Sequence, residues 1–439
     1  MSEKDPFFII TLGCKVNQYD SQALAEAWTL QGRAAVQKQE DAATIVVNSC
    51  AVTAKAVSEA KRLLGRIRRE SPNARLILTG CAARAAASRF ADVEGLEILL
   101  AEDAPGDGQT PPRESGTPVR NGAYPSLGVS DYGRARATLK IQDGCSRRCS
   151  YCIVPDARGP SRSRPLPDIL EEARRLFGAG FRELTVTAIN LSQYGLDAPG
   201  RTGLWDVIRA LDALAASRPH PARLRLSSLY PGELGAEALE TLAACKTLCP
   251  HLHISLQSAA PDVLRNMGRD GDNPEKLSRF LEKLAAVWPV FGLGADILTG
   301  FPGETDDQFR QTLEFVRQAP LTYAHVFPYS RRPGTPAATF PNQIPREVKK
   351  ERAAKLRELA AAKKRRFAQT LAALPQVAPV IETLSPTGGV CEYYVECRFD
   401  ETAPAPAAAP RDIVPARPLR ATDGPLLVAP LAKAAGERP

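Results

Sequence analysis

The chain has 439 residues, 44% of them apolar, and a formal net charge of +8. That length allows two to four domains with a large core, and the apolar fraction is that of an ordinary soluble protein. It has no run of about 18 apolar residues for a membrane span. Met1-Ser-Glu-Lys-Asp-Pro6 lacks a signal peptide's apolar stretch, so a cytoplasmic protein with reduced thiols is expected.

Taken in chain order, the N-terminal part to about Leu100 alternates strands and helices. Three apolar runs, Phe7–Leu12, Thr44–Asn48 and Arg75–Thr79, are separated by helical patterns at roughly Ser21–Gln31 and Thr53–Glu70. Continuous apolar strands between helices predict a parallel, Rossmann-like sheet covered on both faces. Sites in such sheets form beyond the carboxyl ends of the strands. Cys14, Cys50 and Cys81 each fall just past a different strand, so they are expected to converge. One cysteine there is an unremarkable core residue. Three at equivalent places predict a three-cysteine metal cluster, with Thr11, Gly13, Asn17, Asn48, Ser49 and Thr53 as small polar neighbours.

From residue 103 to 136 the periodicity dissolves, and the Pro/Gly-rich stretch 105–119 reads as a linker. Strand and helix then alternate from 137 to 344, with strand candidates Thr138–Ile141, Leu184–Ala188, Leu224–Ser227, His253–Gln257, Leu293–Leu298 and Ala324–Pro328. Six β/α units predict a partial barrel of the TIM type, with its chemistry at the carboxyl ends of the strands. After the first strand comes Asp143–Pro155, DGCSRRCSYCIVP, with Cys145, Cys149 and Cys152 in a C-x3-C-x2-C spacing. Three thiolates on one short loop can hold three irons of a [4Fe–4S] cluster, and the lack of a fourth at short range leaves one iron open. A structural zinc loop fits poorly, since zinc usually takes four ligands in two pairs. A disulfide fits a reducing compartment less well still.

The other strand ends supply candidates for the barrel mouth. They are Asn190 after strand two, Ser227 and Ser228 after strand three, and Gln257 after strand four. Arg269 could form a forked pair with a carboxylate, and Gly300, Pro302 and Gly303 make a tight turn. Arg158, Arg162 and Arg164 read slightly more as phosphate contacts than as charges paired with nearby Asp/Glu. The spacing Cys245, Cys249, His251, His253 invites a zinc assignment, but its members fall on a helix, a turn and a strand, so packing is expected. Cys391 and Cys397, six apart, read as core or surface thiols.

Residues 345–374 form a long helical pattern with ten Lys/Arg against three Glu between Arg346 and Phe367, a net of +7. Nearly all the excess charge lies there, which suits an RNA-facing or a domain-bridging helix. Residues 375–439 read as a small β-barrel with strands at Val377–Thr383, Val390–Arg398 and Leu427–Ala429, and a loose Ala/Pro-rich insert at Thr402–Pro418.

The blocks TLGCKVNQYDS (11–21), NSCAVT (48–53), TGCAAR (79–84), IQDGCSRRCSYCIVP (141–155), HISLQS (253–258), GFPGET (300–305) and HVFPYSRRPGTPA (325–337) together resemble the radical S-adenosylmethionine (SAM) methylthiotransferases. The resemblance spans roughly residues 7 to 340. It implies an N-terminal methylthiotransferase domain (1–102), a radical SAM core (137–344) and a C-terminal TRAM-like β-barrel that binds RNA. It also implies two [4Fe–4S] clusters, one on Cys14, Cys50 and Cys81 and one on Cys145, Cys149 and Cys152. SAM would bind the open iron of the second cluster, with Tyr151, Asn190, Ser228, Gln257 and Arg269 as cofactor contacts, and be split to a 5′-deoxyadenosyl radical.

GCKVNQYDS and FPYSRRPGTPA look most like the branch acting on N6-threonylcarbamoyladenosine beside the tRNA anticodon. The partners implied are the tRNA anticodon loop, a flavodoxin- or ferredoxin-type electron donor and a sulfur source, with no membrane. The alternatives are the same chemistry on isopentenyladenosine or on a ribosomal protein side chain. From another class, the alternative is an Fe–S redox or RNA-binding scaffold that never cleaves SAM. The chain departs from the family at Tyr230, where a glutamate is usual, at Ala188 and Ser192 within the Thr187–Ser192 block, and at Ala259-Ala260.

Overall fold

A computed structural model describes residues 5–100, 129–197, 202–383, 385–403 and 408–431. Most of the expected linker lies outside the described residues. The first sheet has five strands, and every pairing in it is parallel. Pro6–Thr11, Thr44–Asn48 and Arg75–Thr79 lie side by side in it, flanked by the short strands Ala34–Ala35 and Leu96–Ile98. Ile45, Val46 and Val47 are fully buried, which explains why that strand reads as unbroken apolar sequence. The helix Ala54–Glu70 packs Val57, Ala60, Leu64 and Ile67 on this sheet. Its N-cap Thr53 accepts from Ala56 N–H, an interaction worth about 1 kcal/mol.

The central part holds six parallel strands in chain order: Ala137–Asp143, Glu183–Ala188, Arg223–Leu226, His251–Gln257, Gly292–Thr299 and Tyr323–Pro328. The short strand Ser228–Leu229 continues strand three and pairs in parallel with His253 and Ile254 of strand four, with a further bridge at Leu224–Leu248. Among the described residues no pairing returns strand six to strand one, so the barrel is incomplete. Alternation sorts their side chains. Leu139, Ile141, Leu252, Ile254, Leu293, Ala295 and Val326 join the main apolar core under the helices. Lys140, Gln142, Arg225, His253, Asp296 and His325, on the opposite face of their strands, line a polar lumen.

The C-terminal strands form a five-stranded sheet, and the bridges Val377–Ala416 and Val380–Ile413 link its two ends. The molecule is therefore an α/β protein with three sheet-based parts, as its sequence predicts.

The local reading differs in three places. The first helix runs Lys15–Leu30, beginning directly after Cys14 instead of at Ser21. Its early turns carry Asn17 and Asp20, polar residues that bond into the protein and so do not show an apolar periodicity. Val390–Arg398 is not one strand but the hairpin Gly388–Val390 to Glu396–Phe399, with Tyr394 in the left-handed region at φ 64°. The expected loose insert is partly ordered, since Ala416–Ala421 pairs with Leu426–Pro430.

The basic helix Arg346–Ala372 contacts the sixth barrel strand and the C-terminal strand Ala416–Ala421. It therefore bridges two parts of the fold, burying Ala353, Leu356, Ala360, Ala368 and Leu371. Arg346, Lys350, Lys355, Arg357, Lys364, Arg365 and Arg366 remain exposed. A buried ionic knot makes a second bridge. Glu183, fully buried, accepts from Arg223 and Arg225. The same guanidinium groups donate to the carbonyls of Ala378, Val390, Cys391 and Glu392.

Candidate active site

The three strand ends of the first sheet bring Cys14, Cys50 and Cys81 together. Thr11 pairs with Asn48 and Asn48 with Thr79, so the chain leaves all three strands at one level. Gly80 makes the last exit feasible. It sits at φ +82°, and a Cβ there would lie 2.2 Å from Asn48 Oδ1. The thiols sense one another: burial first, then Cys81 and Cys14, push the Cys50 thiol up to about 11. Of the small polar neighbours expected near these sulfurs, only Asn17 reaches one among the described residues, with Cys14 Sγ 3.4 Å from its Oδ1. Asn48 is turned to Asn17 and Ser21, Thr11 bonds Ser21, and Thr53 caps its helix. Backbone supplies another donor, Val52 N–H to Cys50 Sγ at 3.4 Å.

The second triad is shaped by its surroundings. Gly144 takes φ +70° against Pro160, whose carbonyl oxygen would lie 1.9 Å from any Cβ there. Cys145 N–H donates to Gly159 O, Ser146 N–H to Gln193 Oε1, and Ser150 N–H to Met267 O. The loop is thus tied to its own exit and to the loops after strands two and four. Burial, then Cys149 and Cys145, push the Cys152 thiol up to about 12. A metal cluster must displace these protons to bind.

Arg158 links the two triads. It closes the helix Val154–Arg158, which begins two residues after Cys152. Its Nε donates to Cys81 Sγ at 3.2 Å, and its terminal nitrogens reach Asp143, Asn17 and Asp20 at 2.9–3.2 Å. Burial alone would weaken this cation, yet Asp143, Cys81 and Asp20 hold its pKa well above the usual value. Ile153 and Ala157 of the same segment belong to the core of the N-terminal sheet. The expectation that Arg158 and Arg164 contact phosphate is therefore incorrect. The side chains of both are buried, Arg158 as described and Arg164 against Glu172 at 2.9 Å. An acidic partner far along the chain cannot be seen in the local RGPSRSRP motif. Arg162 is half-buried.

The remaining predicted contacts lie around the barrel mouth. Asn190 Nδ2 is 3.8 Å from Cys145 Sγ. Gln257 takes φ 61° at a register shift in strand four. Ser228 is exposed at the end of strand three. Tyr151 meets Phe301 edge-on and receives a long contact from Arg269. Arg269 itself is buried, donates to Asp272 and Ser255 O, and stacks 4.1 Å from the Tyr230 ring. Cys249 faces Arg223 and Arg225, Cys391 and Cys397 contact each other, and Cys245 ends a helix beside Asp212, so all four have other surroundings than the two triads.

Two donor sets of three thiols, neither with a fourth sulfur, fit [4Fe–4S] clusters that each keep one iron open, and fit zinc poorly. The space beside them also asks for ligands. Tyr230 Oη and Arg147 Nε near Cys149, and Arg332 Nε near Cys50, are buried donors without a protein partner among the described residues. Buried donors of that kind cost about 1–3 kcal/mol each unless something accepts from them. A cofactor with a carboxylate and hydroxyl oxygens, such as SAM, supplies acceptors. The sequence marked Tyr230 only as a departure from a motif; its orphaned hydroxyl is visible only in three dimensions.

Fold and site together define a radical SAM protein with an added N-terminal cysteine-bearing sheet. The Radical SAM superfamily matches residues 139–316, and the Uncharacterized protein family UPF0004 matches residues 6–100. The chain is 36% identical over 367 residues to the threonylcarbamoyladenosine tRNA methylthiotransferase MtaB of Thermotoga maritima, covering 80% of this chain and 81% of that protein. It is 36% identical over 382 residues to the tRNA-2-methylthio-N(6)-dimethylallyladenosine synthase of Oleidesulfovibrio alaskensis, covering 80% and 78%. Among solved structures, the radical SAM methyltransferase TsrM of Kitasatospora setae superposes with a TM-score of 0.53 at 16% identity, over 76% of this chain and 74% of that one, which shows a shared fold. This chain belongs to the radical SAM methylthiotransferase family, and with that membership come SAM and two [4Fe–4S] clusters as cofactors.

Proposed function

We propose that the chain converts N6-threonylcarbamoyladenosine beside the anticodon of tRNA to its 2-methylthio derivative. Cys14, Cys50 and Cys81 hold one cluster in this reading, and Cys145, Cys149 and Cys152 the other. When bound, the clusters supply the one-electron cleavage of SAM and a carrier for the sulfur. The observation that carries the reading is Arg158, one buried cation at the end of the helix that follows the Cys145–Cys152 loop, which reaches Cys81 and so ties the segment of one three-thiol site to the other.

The chain's own residues do the positioning. Gln193 and the Met267 carbonyl fix the Cys145–Cys152 loop, while Tyr230 and Arg147 offer hydrogen bonds to the amino acid end of SAM. Phe327, 47% exposed at the carboxyl end of strand six, offers a face on which an extruded base can stack. The polar lumen, with Lys140, His325 and Asp296, suits a threonylcarbamoyl group with its amide, hydroxyl and carboxylate better than an apolar isopentenyl group.

An RNA substrate is supported by two basic surfaces. One is the exposed side of Arg346–Ala372. The other is an open groove of about 1100 Å³ lined by Lys55, Lys61, Arg62, Arg66, Arg69 and Arg89. The sequence does not single out this second surface, because its charges are diluted along an ordinary amphipathic helix. A flavodoxin- or ferredoxin-type reductant and a sulfur source complete the proposed partners.

The test is nucleoside mass spectrometry. Anaerobic reduced protein with SAM, a sulfide source and tRNA bearing N6-threonylcarbamoyladenosine is expected to give the 2-methylthio nucleoside and 5′-deoxyadenosine. Cys149→Ala is expected to abolish both. Cys50→Ala is expected to keep SAM cleavage and lose methylthiolation. Product on isopentenyladenosine tRNA alone would overturn the substrate assignment.

A further inference from the structure

We propose that His253, Asp296 and His325 form a site for one divalent transition-metal ion on the lumen side of the barrel, separate from both cysteine triads. The three residues stand on strands four, five and six. Parallel register sets Asp296 beside His325 and His253 beside Gly294, so all three share one face within two residues of strand length. Asp296 Oδ1 is 3.1 Å from His253 Nε2 and 3.2 Å from His325 Nδ1. The ligand atoms of all three lie within 4.8 Å of one another.

Two imidazoles and one carboxylate on a shared face are a common donor set for zinc-like ions and for iron(II), with open positions left over. Zinc bonds to such atoms at about 2.0–2.2 Å, which puts ligands of a tetrahedral site about 3.3 Å apart. The two separations at Asp296 nearly match that spacing already. Both ring nitrogens lie within hydrogen-bond distance of the same carboxylate oxygen, so the three donor atoms already face one another.

Supporting contacts hold the histidine ring. His253 Nδ1 lies 3.0 Å from Tyr323 Oη, which in turn lies 2.9 Å from His251 Nε2. A fixed partner at Nδ1 turns Nε2 toward the site, the usual way a ligating histidine is oriented. Gly294 makes this possible, because a Cβ there would come within 2.2 Å of the Tyr323 ring and 2.4 Å of His253 Nδ1. An entry path exists as well. The side chain of His253 is 9% exposed, that of Asp296 24% and that of His325 54%, so the group is closed on its strand side and open to the lumen. The free coordination positions face that opening and take water or an oxygen group from whatever occupies the lumen.

The C-x3-C-x-H-x-H spacing hinted at metal in this region with the wrong partners. Cys245 and Cys249 stay apart from His253, whose partners come from two later strands.

Zinc is the probe, since iron is masked by the clusters. Full-length protein with both clusters reconstituted is titrated anaerobically with Zn²⁺ and desalted. Bound zinc is measured by plasma mass spectrometry, and its ligands by zinc-edge X-ray absorption. The expected result is one zinc per chain beyond the cluster iron, with a nitrogen/oxygen shell at about 2.0–2.1 Å and no sulfur. His325→Ala changes an exposed side chain, and Asp296→Asn keeps the shape of the carboxylate. Each is expected to weaken zinc binding by at least about tenfold, with iron content and melting temperature unchanged. No retained zinc, a sulfur shell at about 2.3 Å from zinc in an empty triad, or equal retention by both variants overturns the site. The three residues would then be a hydrogen-bonded group only.

Discussion

Replacing Arg158 with Met removes the charge that joins the two cysteine sites while nearly keeping the volume. The guanidinium makes five hydrogen bonds, to Cys81, to both oxygens of Asp143, to Asn17 and to Asp20. Breaking a buried ion pair by deleting one partner costs about 3–5 kcal/mol. Here the carboxylates are not left alone, since Lys140 holds Asp143 at 2.7 Å and Asp20 at 2.6 Å. The cost should therefore sit near the lower end, about 3 kcal/mol. At about 2 °C per kcal/mol for a large domain, the melting temperature falls by roughly 6 °C. The assay is anaerobic thermal unfolding at a fixed scan rate, because cluster loss makes unfolding irreversible. Arg158→Met combined with Asp20→Asn should recover part of the loss. Methylthiolation should fall far more than SAM cleavage, because Arg158 touches Cys81 and not the second triad's sulfurs. A variant that melts within about 1 °C of the parent and transfers sulfur normally would refute the role given to this residue.

Gly80→Ala forces a Cβ against Asn48 at a left-handed backbone position. It is expected to cost about 1–3 kcal/mol and to lower iron from about eight to about four per chain, read by iron and sulfide analysis. Phe327→Ala should weaken tRNA binding by about 1–3 kcal/mol in filter-binding titrations and leave 5′-deoxyadenosine release without tRNA unchanged. Arg62→Glu with Arg69→Glu should lower tRNA affinity and flatten its dependence on log salt by about 1–2, since each lost phosphate contact removes about 0.7–0.9 from the slope.

Glu183 gives a pH prediction. Burial alone would raise its pKa, but Arg225 and Arg223 hold it below the usual carboxylate range. Its stabilisation is fully present above the unfolded value of about 4.3 and is lost as pH falls toward the depressed native value. Glu183→Gln should therefore melt lower at pH 7 and show a shallower decline between about pH 5 and 3.

Much of this architecture could be read from the chain because its signals are local. Ile45–Val47 is apolar without a break, and Cys14, Cys50 and Cys81 each stand two or three residues past the end of a strand. What escaped reading depends on contacts between distant segments. Arg158 looks like a surface charge until Asp20, 138 residues earlier, is beside it. His325 meets Asp296 from 29 residues away, and only the parallel register of two strands brings them level. The hairpin at Tyr394 was hidden because a single residue with positive φ turns what otherwise reads as one continuous strand.

The burial of Ile153 and Ala157 in the N-terminal core bears on how the protein is made. About fifty residues separate the last strand of that sheet from the segment that completes its hydrophobic interior. A nascent chain that stops short of residue 158 displays an unfinished apolar face around Cys81, Ala82 and Phe90. Metal loading of the first triad is therefore expected to require the segment that also carries the second triad. A fragment ending near residue 102 is expected to aggregate, whereas one ending beyond the barrel should stay in solution.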